Sequence, residues 1–336
     1  MFKVVRTFKM DGALEIEKEV LGPGFEIEER PSPTEDEIIE NCQDADAVIC
    51  VYEPFTKRVI DALPNLKLIA FKSIGFNYAD YEYAAKRGIP VTHIVHYCTQ
   101  EVADYATAAI LASNRMLFQY NHGTHVLKEW DLFKHIDKMH RLANQTIGLL
   151  GFGNIPRLVA KRLAPYGCEI VAYDPFCDAE MALKDYNVKL LPLEEVLSSS
   201  DIISLHLPLN KATKGIINKD NIALMKDGVS IVNSARGPII NDDDFIEAID
   251  SGKISFAVID VLEEEYPDMN THPFASRDNI VLTPHIAFLS QESIRDGIIE
   301  CAENVKNFAE GNYEKCAIVK WCETGSRLIL NKNQVR

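Results

Sequence analysis

The sequence predicts an α/β protein built from two doubly wound domains, each around a parallel sheet. Three observations carry this. The chain has 336 residues, more than one hydrophobic core ordinarily serves. Short apolar runs alternate with amphipathic stretches in two series, one over the first hundred residues and one from Thr146. That alternation marks βαβ units and hence parallel strands. A long helix-like segment follows each series.

In the first series the strand candidates are residues 3–8, 25–29, 47–52, 66–72 and 90–95. One intervening helix opens on Thr34 with Glu37 three residues later, a capping-box pattern in which hydroxyl and carboxylate satisfy orphan helix amides. Residues 101–116, EVADYATAAILASNRM, read as one long apolar helix. Residues 121–145 are polar without a clean period and read as a partly helical connection. The second series places strands at 146–150, 169–173, 202–206, 230–233, 256–261 and 279–283. A last helix begins near Gln291 and closes at Gly311, a residue suited to a left-handed helix end.

Composition narrows the function. Hydrophobic residues make up 47% and charged residues 25%, ordinary for a globular chain, and the formal net charge is −15. An acidic balance without a Lys/Arg run argues against a nucleic-acid partner or an anionic membrane surface. Eight cysteines are scattered with no C-x-x-C pair, so zinc-ribbon and redox-motif readings lack support, no metal site is expected, and buried cytosolic thiols are expected instead. The N-terminus lacks a signal-like apolar stretch and no run is long enough to span a membrane, so a cytoplasmic protein is expected.

The first chemical motif is IGLLGFGNIPRL, residues 147–158. A strand, a glycine turn and a helix stand in the order of a dinucleotide-binding loop. Gly151 makes the tight turn, and Gly153 lets backbone approach a pyrophosphate. Asn154 and Ile155 offer helix-start amides to it. Position 156 carries Pro where the third glycine of the pattern belongs. Proline lacks an N–H, but the first helical turn has amides without intrahelical partners anyway. The loop is therefore expected to bind, with a slightly displaced helix. Asp174 ends the following strand, where an acid accepts bonds from both ribose hydroxyls and repels a 2′-phosphate. NAD is thus expected rather than NADP.

Three further stretches follow strands. IVNSARGPIIND holds Arg236 among small residues, where a guanidinium can grip a carboxylate bidentately. VIDVLEEEYP holds acids at 260, 263, 264 and 265, a run that elsewhere is a solvated turn. VLTPHIAFLS places His285 just past a buried strand. Together they match what reduction of a 2-keto acid requires: a cation for the carboxylate, a proton donor for the carbonyl oxygen, and a carboxylate that favours the charged donor.

In these motifs, taken as a set, the chain resembles the D-isomer-specific 2-hydroxyacid dehydrogenases over essentially its whole length. Their N-x-A-R-G, D-V-x-x-x-E and T-P-H signatures stand as NSARG (Arg236), DVLEEE (Glu265) and TPH (His285). Within the family, YCTQEVADY at 97–105 and SQES after His285 look most like the branch containing the C-terminal-binding proteins.

The resemblance implies a flavodoxin-like substrate domain, residues 1–99 plus 293–336, and a Rossmann NAD-binding domain, residues 100–292. It implies an active site between them and a homodimer contacting through the 101–116 helix. With so little chain after the last helix, no added regulatory domain is expected. By position, Arg236, Glu265 and His285 are the catalytic set. The loop KSIGFN should offer Ser73, Ile74 and Gly75 to the substrate carboxylate, with Ile74 also beside the cofactor. Val102 should pack near the nicotinamide, Ser234, Ala235 and Asp260 should line the nicotinamide side of the site, and Asp260 is a candidate to bind the carboxamide. His206, Pro208 and Thr213 should border the adenosine. Phe288 should stand beside the substrate as an aromatic wall, or else belong to the core. Lys72, next to the loop, is read either as a grip on a second anionic group of the substrate or as a solvated lysine. Asn77, Pro156 and Tyr266 depart from the usual pattern.

The expected activity is NAD-dependent interconversion of a small 2-keto acid and a D-2-hydroxy acid. The alternative is an NAD(H)-sensing, corepressor-like binding protein with weak activity. A formate-type enzyme would carry Gln where Glu265 stands.

Overall fold

The computed structural model describes residues 1–319 of the chain. Cys322 and the end of the expected 293–336 segment lie outside the described residues. The chain divides into two compact units, Met1–Cys98 with the chain from Ser290 onward, and Thr99–Leu289.

The first unit alternates β1 (Phe2–Arg6), α1 (Ala13–Leu21), β2 (Phe25–Glu29), α2 (Glu35–Asn41), β3 (Ala47–Cys50), α3 (Lys57–Ala62), β4 (Leu68–Phe71), α4 (Tyr81–Lys86) and β5 (Val91–His93). All pairings are parallel, in the order β2-β1-β3-β4-β5, the flavodoxin-like arrangement. Every residue of β3 and β4 is buried, as a sheet covered on both faces demands. Several expected strands ran one or two residues too long. Leu66, for example, is buried without joining the ladder, because burial outlasts hydrogen bonding at strand ends. The capping box is formed, with Thr34 N–H donating to Glu37 Oε2 at 3.0 Å and Glu37 N–H to Thr34 Oγ1 at 3.3 Å.

The second unit opens with α5 (Thr99–Asn114) and α6 (Leu117–His125). The single helix expected over 101–116 thus ends two residues early. Met116 turns left-handed at φ 53°, and a new helix enters the stretch read as a connection. There follow β6 (Thr146–Leu150), α7 (Asn154–Leu163), β7 (Glu169–Tyr173), α8 (Ala179–Tyr186), β8 (Lys189–Leu190), α9 (Leu193–Ser199) and β9 (Ile202–Leu205). The unit closes with α10 (Lys219–Leu224), β10 (Val229–Asn233), α11 (Asp242–Asp250), β11 (Ile254–Ile259) and β12 (Ile280–Leu282). The sheet is parallel throughout, ordered β12-β11-β10-β9-β6-β7-β8. The order reverses between β6 and β9, the switch point where such sheets bind ligands at the carboxyl ends of their strands. The two-residue β8 escaped the sequence reading, being too short to show a period.

The last helix, α12 (Gln291–Ala309), packs in the first unit, where Cys301, Ala302, Val305 and Phe308 join the core on one face of its sheet. Gly311, at φ 79°, follows the Glu310 cap. Among the described residues no helix is long and apolar enough to cross a membrane, and no group of His, Cys, Asp and Glu is arranged to hold a metal.

Candidate active site

The glycine turn follows β6 directly. Gly151 has φ 101°, and a Cβ there would lie 2.8 Å from the His206 carbonyl oxygen. That glycine is required by the protein's own packing against the end of β9. Gly153 differs. Its φ is ordinary at −80° and a Cβ would meet nothing within 4 Å. The space is left open on the side where α7 begins.

The helix starts at Asn154 despite the bias that Pro156 places on Ile155. Pro156 is the third helical residue, so it interrupts no i to i−4 bond, and Arg157 N–H makes the first, to Gly153 O at 3.2 Å. The amides of Gly153, Asn154 and Ile155 have no partner among the described residues. Asp174, past β7, accepts from Phe152 N–H at 2.8 Å and Phe176 N–H at 2.9 Å. It therefore fastens the glycine turn as well as standing at the expected ribose position.

After β9, the His206 imidazole meets Ser204 Oγ at 2.9 Å, and burial drives its pKa down from 6.5 to about 3 although the residue keeps some exposed surface. Thr213 Oγ1 donates to Pro208 O at 2.5 Å and accepts from Asn210 N–H at 2.9 Å. These bonds tie the loop of His206, Pro208 and Thr213 together. Val102 is buried on α5.

The loops after β10, β11 and β12 leave three adjacent strands at one edge, with Asn233 beside Ile259 and Ile259 beside Leu282. Arg236, Glu265 and His285 stand on them in that order. Asn233 is fully buried and folds the first loop. Its Nδ2 donates to Arg236 O at 3.0 Å and its Oδ1 accepts from Ala235 N–H at 3.0 Å. Gly237 pins that loop to the next, since a Cβ there would lie 2.1 Å from the Leu262 carbonyl carbon. The Arg236 guanidinium donates to Ala235 O at 2.6 Å and has no carboxylate partner among the described residues. The next residue, Gly237, abuts the backbone of Leu262 and Glu263, where three consecutive glutamates begin, so this lack of pairing is informative. The Ser234 hydroxyl is buried with no hydrogen-bond partner among the described residues.

His285 Nδ1 lies 2.6 Å from Glu265 Oε1. A carboxylate only accepts, so Nδ1 carries the hydrogen and Nε2 is left for chemistry. Both side chains are about a quarter exposed, at 28% and 25%. His285 is one of four non-glycine residues with positive φ among the described residues, at 54°, and such strain persists only where surroundings enforce it. Here the enforcing residue is Asp260, 2% exposed. Its carbonyl accepts from His285 N–H at 2.9 Å. Its carboxylate accepts from Thr283 Oγ1 at 2.6 Å, Ile286 N–H at 2.9 Å and Ala287 N–H at 2.9 Å. The Asp260 carboxylate, expected at the nicotinamide, is thus occupied by the histidine turn. Tyr105, which the sequence reading passed over, adds its hydroxyl 2.6 Å from Thr283 Oγ1. The Phe288 ring stands edge-on to His285, centroids 5.6 Å apart.

In the other unit, residues 73–75 follow β4. All three of their carbonyls are held internally: Ser73 O by Ile94 N–H at 3.2 Å, Ile74 O by His93 Nδ1 at 3.0 Å, and Gly75 O by Ser73 Oγ at 2.6 Å. Their amides have no partner among the described residues. Successive free N–H groups of this kind form an anion cradle. Lys72 is only 7% exposed, and burial lowers its pKa, so the solvated-lysine reading does not hold.

An unpartnered buried hydroxyl at Ser234, open space over Gly153 and free helix-start amides all fit a dinucleotide laid along the carboxyl edge of the second sheet. Fold and edge together define a nucleotide-dependent α/β oxidoreductase. The chain belongs to the D-isomer specific 2-hydroxyacid dehydrogenases, whose NAD-binding-domain model matches residues 107–287. It is 33% identical over 292 residues to a hydroxypyruvate reductase of Blautia hydrogenotrophica, covering 85% of this chain and 89% of that one. It is 35% identical over 266 residues to a glyoxylate reductase of Thermofilum pendens, covering 78% and 77%. The structure of an Aquifex aeolicus D-lactate dehydrogenase complexed with NAD and lactic acid superposes with a TM-score of 0.81 at 30% identity, over 93% of this chain and 97% of that one. The chain is an NAD-dependent enzyme of this family.

Proposed function

We propose that the protein reduces a small 2-keto acid to the D-2-hydroxy acid, or runs the reverse, with Arg236, Glu265 and His285 as its working residues. The observation that carries this is the 2.6 Å His285–Glu265 pair on the loops after β11 and β12, next to the β10 strand whose loop holds Arg236, a guanidinium with no carboxylate partner among the described residues. Arg236 grips the substrate carboxylate. His285 gives a proton from Nε2 to the carbonyl oxygen as it gains charge, and takes it back in the oxidative direction. Glu265 holds the ring and balances the charge of its doubly protonated form. NAD, when bound, supplies the hydride acceptor, and NADH the donor.

Gly153, Asn154 and Ile155 would hold the pyrophosphate and Asp174 the ribose. His206, Pro208 and Thr213 would border the adenosine. Ser234 and Ala235 would meet the nicotinamide, with Val102 behind. The amides of Ser73, Ile74 and Gly75 would bind a substrate carboxylate, and Phe288 would stand beside the substrate and favour apolar keto-acid side chains. We assign the substrate loop to the unit of residues 1–99 and 293–336 and the cofactor to that of residues 100–292, in a homodimer.

NADH oxidation across a panel of 2-keto acids, repeated with NADPH, tests this. Turnover with several small keto acids and a preference for NADH are expected. No turnover with any of them would leave a binding protein in place of an enzyme.

A further inference from the structure

The cradle of residues 73–75 is shaped by one side chain to which neither the family motifs nor the proposed mechanism gives a role. His93 ends β5, and its Nδ1 lies 3.0 Å from Ile74 O. A carbonyl oxygen can only accept, so the Nδ1 hydrogen is fixed in that bond. In a trans peptide the C=O and N–H point in opposite directions. Drawing the Ile74 carbonyl toward β5 therefore turns the Gly75 N–H away from it. The neighbouring peptide is oriented the same way by a backbone bond, Ile94 N–H to Ser73 O at 3.2 Å. Two consecutive amides are thus aimed alike, one by main chain and one by His93.

The imidazole is itself firmly placed. Its backbone N–H donates to Ala317 O at 3.0 Å, and its carbonyl accepts from Asn304 Nδ2 at 3.1 Å. Phe76, just past the loop, packs edge-on against the ring at 5.1 Å. Burial lowers the His93 pKa, so the ring stays a neutral, fixed donor.

We infer that His93 is a positioning residue for the substrate: it locks the Ile74–Gly75 peptide so that the Gly75 amide meets the keto-acid carboxylate. This rests on the proposed assignment of residues 73–75 to that carboxylate. His93 acts through the backbone and touches neither the reacting carbon nor the cofactor.

The test is binding of oxamate, a non-reducible 2-keto acid mimic, to the NADH-loaded protein by titration calorimetry. Removing one hydrogen bond by His93→Leu should raise the oxamate Kd by about five- to tenfold. His93→Asn, whose amide can donate from nearly the same place, should stay within about twofold of the parent. The NADH Kd should be unchanged in both. Should the leucine variant fail to fold, His93→Ala with added imidazole replaces it, and imidazole should restore oxamate affinity. An unchanged oxamate Kd in His93→Leu, an asparagine variant as weak as the leucine one, NADH affinity falling in step, or failed imidazole rescue overturns the inference. If the parent binds oxamate with this dependence yet turns over no keto acid, the enzyme reading fails and the His93 inference stands. If the parent does not bind oxamate at all, both fail.

Discussion

Tyr105 and Thr283 meet hydroxyl to hydroxyl at 2.6 Å, and the direction of the bond is fixed. Thr283 has one hydrogen and gives it to the Asp260 carboxylate at 2.6 Å, so Tyr105 must be the donor to Thr283. Burial raises the Tyr105 pKa to about 12, which keeps that hydrogen in place. A phenol on α5 therefore braces the turn that presents His285. Tyr105→Phe should lower stability by about 1 kcal/mol and reduce kcat several-fold, by loosening a backbone held at positive φ. Urea unfolding and steady-state kinetics read the two effects. A stability loss with kcat untouched would show that the turn holds without Tyr105.

His285→Ala should cut kcat by roughly 10²- to 10⁴-fold while the NADH Kd, followed by fluorescence titration, stays nearly constant. Glu265→Gln keeps a hydrogen-bond acceptor but removes the charge, and should fall between the parent and the alanine variant. If it matched the parent at every pH, the carboxylate would have no electrostatic part in the step.

The glycines of the site should separate by experiment. Gly153→Ala places a Cβ in open space at an ordinary φ, so the melting temperature should not move. NADH binding should weaken by about tenfold or more if the methyl fills room that the proposed function gives to the pyrophosphate. Gly237→Ala drives a Cβ into the Leu262 backbone. It should destabilise by at least roughly 1–3 kcal/mol and lower turnover by moving Arg236 against Glu265. Equal melting temperatures for the two variants would contradict this division.

His206 predicts an acid-sensitive fold. Its folded pKa of about 3 lies below the ordinary 6.5 because of burial. Between those values the unfolded chain binds a proton that the folded chain does not. The contribution is therefore complete above about pH 6.5 and is lost as pH falls toward 3, at up to roughly 1.4 kcal/mol per pH unit. His206→Gln should flatten the pH dependence of the urea midpoint between pH 7 and 5 relative to the parent. Parallel curves would mean the imidazole is solvated in the folded protein.

Much of this was legible in the sequence because parallel sheets write their strands as apolar runs. It was legible too because each working side chain sits within six residues of a strand end. Four strands of the second sheet, β6, β7, β9 and β12, fall inside the stretches read from pattern alone, while β10 begins one residue and β11 two residues before its own. What stayed hidden was contact at a distance. Nothing in the order of letters says that Tyr105 reaches Thr283, 178 positions away, or that the Asp260 carboxylate closes on the histidine turn. Nor does it say that Lys72 is buried. The helix break at Met116 was hidden for another reason: neither glycine nor proline marks it.

Gly151 and Gly153 stand two positions apart in one motif, yet they answer to different constraints. The first is demanded by the backbone of His206, whereas nothing in the described chain demands the second, which the proposed function gives to the pyrophosphate. A descendant that abandoned its nucleotide could let Gly153 drift to any small residue at no cost to folding, while Gly151 and Gly237 would remain fixed. Position 153, rather than the motif as a whole, is therefore where a loss of cofactor use would first be written.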